Sequence, residues 1–274
     1  MKTGNGAFMP KCLINGIVHA VVMLTIGLLG CGNIGHIIAN YQGNWKIVAL
    51  YDQIFDRARE LAAISGGTPY QDFQEFISAP FDLVVEAASV RAVRLFGETV
   101  LLHDKNLVVM SVGALSDPVF RESLISMARD RKKKVYLPSG AITGLDNIRV
   151  GQITPLSRLL LRTTKNPASL GIPATERMLV FKGTANECIK EFPRNVNVSV
   201  ALSLAAGRDV DVELYADPDV DRNLHEIFVE GAFGEIYIRV NNLPSPENPA
   251  TSYLAALSIL SLLTHIDSPL VVGA

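Results

Sequence analysis

Leu24-Thr25-Ile26-Gly27-Leu28-Leu29-Gly30-Cys31-Gly32-Asn33-Ile34-Gly35 decides the fold. An apolar run of strand composition ends in glycines spaced G-x-G-x-x-G, and a helix-compatible segment, 34–41, begins at once. Gly30 permits a tight strand-to-helix turn, Gly32 lets backbone approach a pyrophosphate, and Gly35 lets the helix pack closely on the strand. Phosphates at such a turn meet the free N–H groups of the helix N-terminus, here at Asn33 and Ile34. The next strand reads at 45–51, and Asp52 ends it about 20 residues after the first glycine, where a ribose-binding acid belongs. The alternative is an ordinary strand–helix–strand unit with a glycine turn; the acid at that spacing favours a dinucleotide site.

Working outward, strand and helix signals alternate. A helix at 56–64 is broken by Ser65-Gly66-Gly67-Thr68-Pro69. Residues 82–88 form a continuous apolar run of the buried, parallel type, and Ser89 is placed to N-cap a helix at 90–104. A strand at 107–111, a helix at 118–131 and a strand at 135–137 complete the series. This order predicts an α/β fold, a Rossmann-type doubly wound parallel sheet with ligand outside the carboxyl ends of its strands. Those ends carry 30–33, Ala88-Ser89, Ser111-Val112-Gly113-Ala114 and Pro138-Ser139-Gly140-Ala141, all small-residue loops suited to close approach of a flat ring.

From about residue 142 the pattern changes. Strands read at 159–164, 177–182 and 210–215, and a hairpin at 224–230 and 235–240 turns around Gly231-Ala232-Phe233-Gly234. Helical signals fall at 185–191 and 198–205. The expected organisation is a dinucleotide-binding domain over 23–141 and a second α+β domain over 142–249. A buried last helix at 251–264, within 250–274, is expected to return to the first domain.

The 274-residue chain has a net charge of −2 and 49% hydrophobic residues, which suits a globular protein with no electrostatic footprint for nucleic acid. The basic run 129–134 reads as a solvated helix end. Cys12, Cys31 and Cys188 are far apart, which argues against zinc and against a disulfide framework, so no metal site is expected. Cysteine usage fits a reducing cytoplasm. Residues 1–22 read as a flexible extension, with a cleaved export signal as the rival reading. The uncharged run continuing to Gly35 is not read as a membrane span, because its second half supplies the nucleotide strand and loop.

Of the five histidines, His225 alone falls where a catalytic base is useful, at the start of a strand in the second half. Imidazole there could take a proton near neutral pH, as oxidation of an alcohol or amine requires; a structural histidine is the alternative. Asn195 and Asn197 could hold a carboxamide or substrate, or simply cap a helix. Thr163-Thr164-Lys165-Asn166 ends a strand and could bind a carboxylate, with Lys165 supplying charge and Thr164 a hydroxyl; the default for Lys165 is an exposed loop lysine. No G-x-x-x-x-G-K-[ST], H-E-x-x-H or G-x-S-x-G motif is present.

The ordered series 30–35, 85–89, 111–114, 139–146, Phe192-Pro193-Arg194-Asn195-Val196-Asn197-Val198, Asn223-Leu224-His225-Glu226-Ile227, 231–235 and Asn248-Pro249-Ala250-Thr251-Ser252-Tyr253-Leu254-Ala255 resembles the L-aspartate dehydrogenase family, from about Met23 to the C-terminus. The resemblance implies NAD- or NADP-dependent oxidation of L-aspartate to iminoaspartate, feeding NAD biosynthesis through a quinolinate synthase. It implies an active-site role for His225, dinucleotide contacts at Ala141 and Asn195, and a homodimer. Residues 1–22 fall outside it, and the region around Thr164-Lys165-Asn166 matches only loosely.

On that reading His225 takes the proton of the substrate amine. Asp52 favours NAD through the ribose hydroxyls, while Arg57 is close enough in sequence to accept a 2′-phosphate. One rival is another dehydrogenase on the same layout, of sugar or homoserine type. The sugar oxidoreductases usually carry E-K-P where this chain has Ser111-Val112-Gly113-Ala114. The other rival is a dinucleotide-sensing protein without catalysis, which fold alone does not separate from an enzyme.

Overall fold

The computed structural model describes residues 13–14, 17–18, 23–192, 196–245 and 248–273. Of the expected N-terminal extension, only an antiparallel pair, β1 (Leu13–Ile14) and β2 (Ile17–Val18), falls within the described residues.

The first half builds β3 (Leu24–Leu29), α1 (Asn33–Asn40), β4 (Trp45–Tyr51), α2 (Phe55–Ser65), β5 (Thr68–Tyr70), α3 (Phe73–Ser78), β6 (Leu83–Glu86), α4 (Val90–Leu102), β7 (Asn106–Val109), α5 (Pro118–Asp130) and β8 (Val135–Tyr136). The strands form one six-stranded sheet in the order β5-β4-β3-β6-β7-β8, parallel throughout. This is the doubly wound sheet the sequence predicts. Every residue of β6 is buried, as a strand covered on both faces requires. Two differences from the sequence reading have local causes. The break at 65–69 runs into β5, too short to show a period, and α3 is a six-residue helix capped by Asp72, whose carboxylate accepts from the N–H groups of Gln74 and Glu75.

Two apolar layers cover this sheet. One face packs Phe73, Phe76, Val93, Val100 and Leu124. The other packs Ile38, Leu61 and the last helix, α10 (Tyr253–His265), through Ile259, Leu260 and Leu263.

The second half is α+β. After α6 (Leu145–Ile148) it builds β9 (Leu156–Lys165), α7 (Pro167–Leu170), β10 (Met178–Thr184), α8 (Ala185–Glu191), α9 (Val196–Ala206), β11 (Asp211–Ala216), β12 (Asn223–Gly231) and β13 (Gly234–Asn242). These strands form a mixed sheet, β10-β11-β9-β12-β13, in which only β11 and β9 are parallel. A short pair, β14 (Pro244–Ser245) and β15 (Asn248–Ser252), leads into α10. Helix α9 carries apolar residues all round because it is buried between the two sheets. Val200 and Ala201 join the core beside the parallel sheet, and Leu202 and Ala206 join the core under the mixed one.

Candidate active site

Gly30 and Gly35 have the close-packed geometry that the turn requires. Gly30 sits at φ +102°, and a Cβ there would lie 2.7 Å from the Ala87 carbonyl, so the turn excludes any larger residue. A Cβ on Gly35 would meet the Gly30 carbonyl oxygen at 2.9 Å, which places helix and strand in direct contact. A Cβ on Gly32 would meet no atom within 4 Å. Among the described residues no packing demand therefore explains Gly32. Asn33 opens α1, and its side-chain amide nitrogen is buried without a hydrogen-bond partner among the described residues.

Asp52 is 9% exposed and ties the turn together: its carboxylate accepts from the Cys31 N–H and the Ile54 N–H, both at 2.8 Å. Cys31 behind it is buried, and burial with the Asp52 charge pushes its thiol up to about 12, so it stays protonated. Gly30, Gly32, Asp52, Ala88 and Ser89 line a cavity of about 280 Å³, joined by Arg57 and by Arg91, which the sequence reading did not single out. Ser89 also caps α4, accepting from the Ala92 N–H at 3.1 Å.

A second cavity of about 310 Å³ shares Ala87 and Ala88 as a common wall with the first. Its other walls come from Ile34, Met110–Val112, the 138–141 loop, Asn197 and, from the mixed sheet, Thr163, Lys165, Asn223 and His225. The two cavities are contiguous through Ala87 and Ala88, so Asp52 and the glycine turn stand at one end of the pair and His225 at the other.

His225 is 5% exposed, and its Nδ1 lies 3.0 Å from Thr163 Oγ1. Burial, with a further contribution from the Lys165 charge, pushes the ring down from 6.5 to about 3. The near-neutral titration expected from sequence is therefore displaced: burial holds the imidazole neutral at physiological pH and lowers its affinity for a proton. Lys165, whose ammonium is shifted down by burial, stands in the same cavity wall.

Strand alternation sorts the rest of that segment. Thr163 and Lys165 line the cavity, whereas Thr164 is not among its walls; the Thr164 hydroxyl is buried without a hydrogen-bond partner among the described residues. Thr163, one residue earlier on the opposite face, is the threonine that lines the cavity. Ala114 is likewise corrected: it is fully buried in the core, while Met110, Ser111 and Val112 form the wall. Asn197 lines the cavity, and its Oδ1 accepts from the Gly113 N–H at 2.9 Å, joining α9 to that loop. Asn195 lies outside the described residues.

Several positions were missed because their role appears only in three dimensions. Asn242 donates to the Ala141 carbonyl at 2.9 Å and its Oδ1 accepts from Ser252 Oγ at 2.7 Å; the Gly140 N–H donates to Ser258 Oγ at 3.1 Å. The 138–141 wall is thus held by residues about a hundred positions away. Among the described residues no group of His, Cys, Asp and Glu could hold a metal ion, and no helix is long and apolar enough to cross a membrane.

Comparison with known proteins agrees with this arrangement. Residues 146–266 match the family model "Aspartate dehydrogenase, C-terminal", and residues 30–138 match "Homoserine dehydrogenase, NAD binding domain". The L-aspartate dehydrogenase of Methanospirillum hungatei is 60% identical over 252 residues, covering 92% of this chain and 100% of the relative. That of Methanothermobacter thermautotrophicus is 40% identical over 257 residues, with the same coverage of each chain. The crystal structure of aspartate dehydrogenase from Thermotoga maritima superimposes with a TM-score of 0.77 at 31% identity, covering 91% of this chain and 99% of that one. A myo-inositol dehydrogenase from Corynebacterium glutamicum, 11% identical with a TM-score of 0.53 over 89% of this chain and 88% of its own, shares the fold alone.

Proposed function

The chain belongs to the L-aspartate dehydrogenase family, and on that premise we propose that it oxidises L-aspartate to iminoaspartate with NAD or NADP, using His225 as the proton acceptor. The observation that carries this reading is the neutral, buried His225 facing Lys165 in a cavity that continues the glycine-turn site. The match over 30–138 is to a homoserine dehydrogenase module, so the substrate assignment leans on the 146–266 half, which supplies His225, Thr163 and Lys165.

The chemistry requires little of the protein beyond placement and one proton transfer. The aspartate ammonium has no lone pair to form C=N, so it must lose a proton before the Cα–H bond breaks with its electron pair. When bound, a nicotinamide dinucleotide supplies the hydride acceptor. Thr163 engages Nδ1 of His225 and fixes the ring, which leaves Nε2 to take the proton directly or through water. Lys165 and Asn197 line the same cavity, which supports their holding the substrate carboxylates. Those carboxylates raise the proton affinity of His225 by the same Coulombic rule through which Lys165 lowers it. Asp52 accepts hydrogen bonds from the ribose hydroxyls, and Arg57 and Arg91 offer charge for a 2′-phosphate.

The protein works as a homodimer in the cytoplasm, and its product passes to a quinolinate synthase for NAD biosynthesis. The dimer reading is supported by the face of the mixed sheet that carries Arg158, Arg162, Tyr215, Phe228 and Tyr237, with guanidinium groups stacked on the rings and Tyr237 54% exposed. The reaction is tested by product analysis. Oxaloacetate and ammonium, the hydrolysis products of iminoaspartate, should appear in equal amounts with reduced cofactor. Reduction supported by L-homoserine or a sugar, without oxaloacetate, would transfer the chain to a sister activity. Binding of NAD(H) without turnover of any substrate would make it a sensor.

A further inference from the structure

Glu86 ends β6 and is fully buried, and no cation pairs with it among the described residues. Its Oε1 accepts from the Ala88 N–H at 2.9 Å and from Ser111 Oγ at 2.8 Å. Its Oε2 accepts from the N–H groups of Met110 at 3.1 Å and Ser111 at 3.0 Å. Ala88, Met110 and Ser111 all line the cavity that contains His225. The carboxylate therefore lies one layer behind that wall and stitches together the loops after β6 and β7.

Joining two loops does not require an anion, and an uncompensated buried charge is costly. Burial raises the Glu86 carboxyl above its ordinary range, and the Ser111, Ala88 and Ser89 donors reduce that shift without cancelling it. The three backbone N–H groups can only donate and the Ser111 hydroxyl can also donate, so the ionised carboxylate has all four donors available to it.

We propose that Glu86 is a positioning residue whose fixed negative charge favours the oxidised, cationic form of the nicotinamide cofactor over the reduced, neutral form. This rests on the cofactor reading given above. The oxidised ring carries a positive charge that reduction removes, so an anion behind the wall stabilises the first state and leaves the second nearly unaffected. Such a bias suits an enzyme that begins its cycle with oxidised cofactor and must release the reduced form.

The test is the dissociation constant of NAD⁺ and of NADH, measured separately by titration calorimetry at pH 8.5 on the wild type and Glu86→Gln. NAD⁺ should weaken by about tenfold, the size of one partly screened charge–charge interaction, with NADH changed by less than about twofold. Equal weakening of both forms, as loop loosening alone would give, overturns the proposal, as does no change in either. If the amide, which cannot accept from all four donors, prevents folding, the wild type decides: NAD⁺ must bind more tightly than NADH, and the reverse order overturns the claim. A wild type that binds neither form overturns the cofactor reading itself and the proposal with it.

Discussion

Thr163 and His225 are direct register partners in the antiparallel pair β9–β12, and Thr163 Oγ1 stands 3.0 Å from His225 Nδ1. The imidazole is thus oriented by a hydroxyl on the neighbouring strand. His225→Ala should lower kcat by ~10²–10⁴-fold, the usual range for a general base, while the dissociation constant for NAD stays within about twofold. Thr163→Val should cost roughly tenfold in kcat, as loss of an orienting partner does. Steady-state kinetics with calorimetric cofactor binding checks both, and near-normal turnover of His225→Ala would remove it from the mechanism.

Acid stability follows from the same ring. Its folded value of about 3 lies below its ordinary 6.5, so between those values the unfolded chain binds a proton that the folded chain does not. Stability therefore falls as pH drops through that window, by about 2 kcal/mol from this group at pH 5. Denaturant unfolding at pH 7 and pH 5 should show a drop in the wild type that is smaller by this amount in His225→Gln. Equal drops in the two proteins would contradict the assignment.

The glycines of the turn separate folding from binding. Gly32→Ala meets no protein atom, so its melting temperature should match the wild type while NAD affinity falls by tenfold or more, roughly one lost close backbone approach. Gly30→Ala, at φ +102° and against the Ala87 backbone, should lose about 1–3 kcal/mol of stability. Thermal melts with cofactor titration decide, and an unaltered NAD affinity in Gly32→Ala would place the phosphates elsewhere.

Asp52 lines the first cavity together with Arg57 and Arg91, and on the proposed function these three choose the cofactor. Asp52→Asn removes the charge that repels a 2′-phosphate, and the ratio of kcat/KM for NADP to that for NAD should rise by about tenfold. Parallel assays with both cofactors give the ratio; a fall would show that Asp52 does not read this group.

Much of this was legible in the chain because the local signals agreed. The G-x-G-x-x-G turn, the acid at Asp52 and the alternation of β and α fixed the parallel sheet, and the small-residue loops marked its ligand edge. The site was less legible where the answer depends on facing. Thr163 and Thr164 differ by one position in a strand whose inward side is set by its partners, so a one-residue choice inverts the face. Ala114 lies in a single turn of 3₁₀ helix that turns it into the core. Glu86 reads as the end of an apolar strand, and nothing local announces that Met110 and Ser111 will meet it.

The central claim is tested most directly by following nicotinamide reduction by the purified full chain at alkaline pH with L-aspartate, NAD and NADP being run in parallel. D-aspartate, L-glutamate, L-homoserine and a panel of sugars serve as controls. The account predicts reduction with L-aspartate and none with the controls. Silence with L-aspartate, whether or not a control is oxidised, would contradict it.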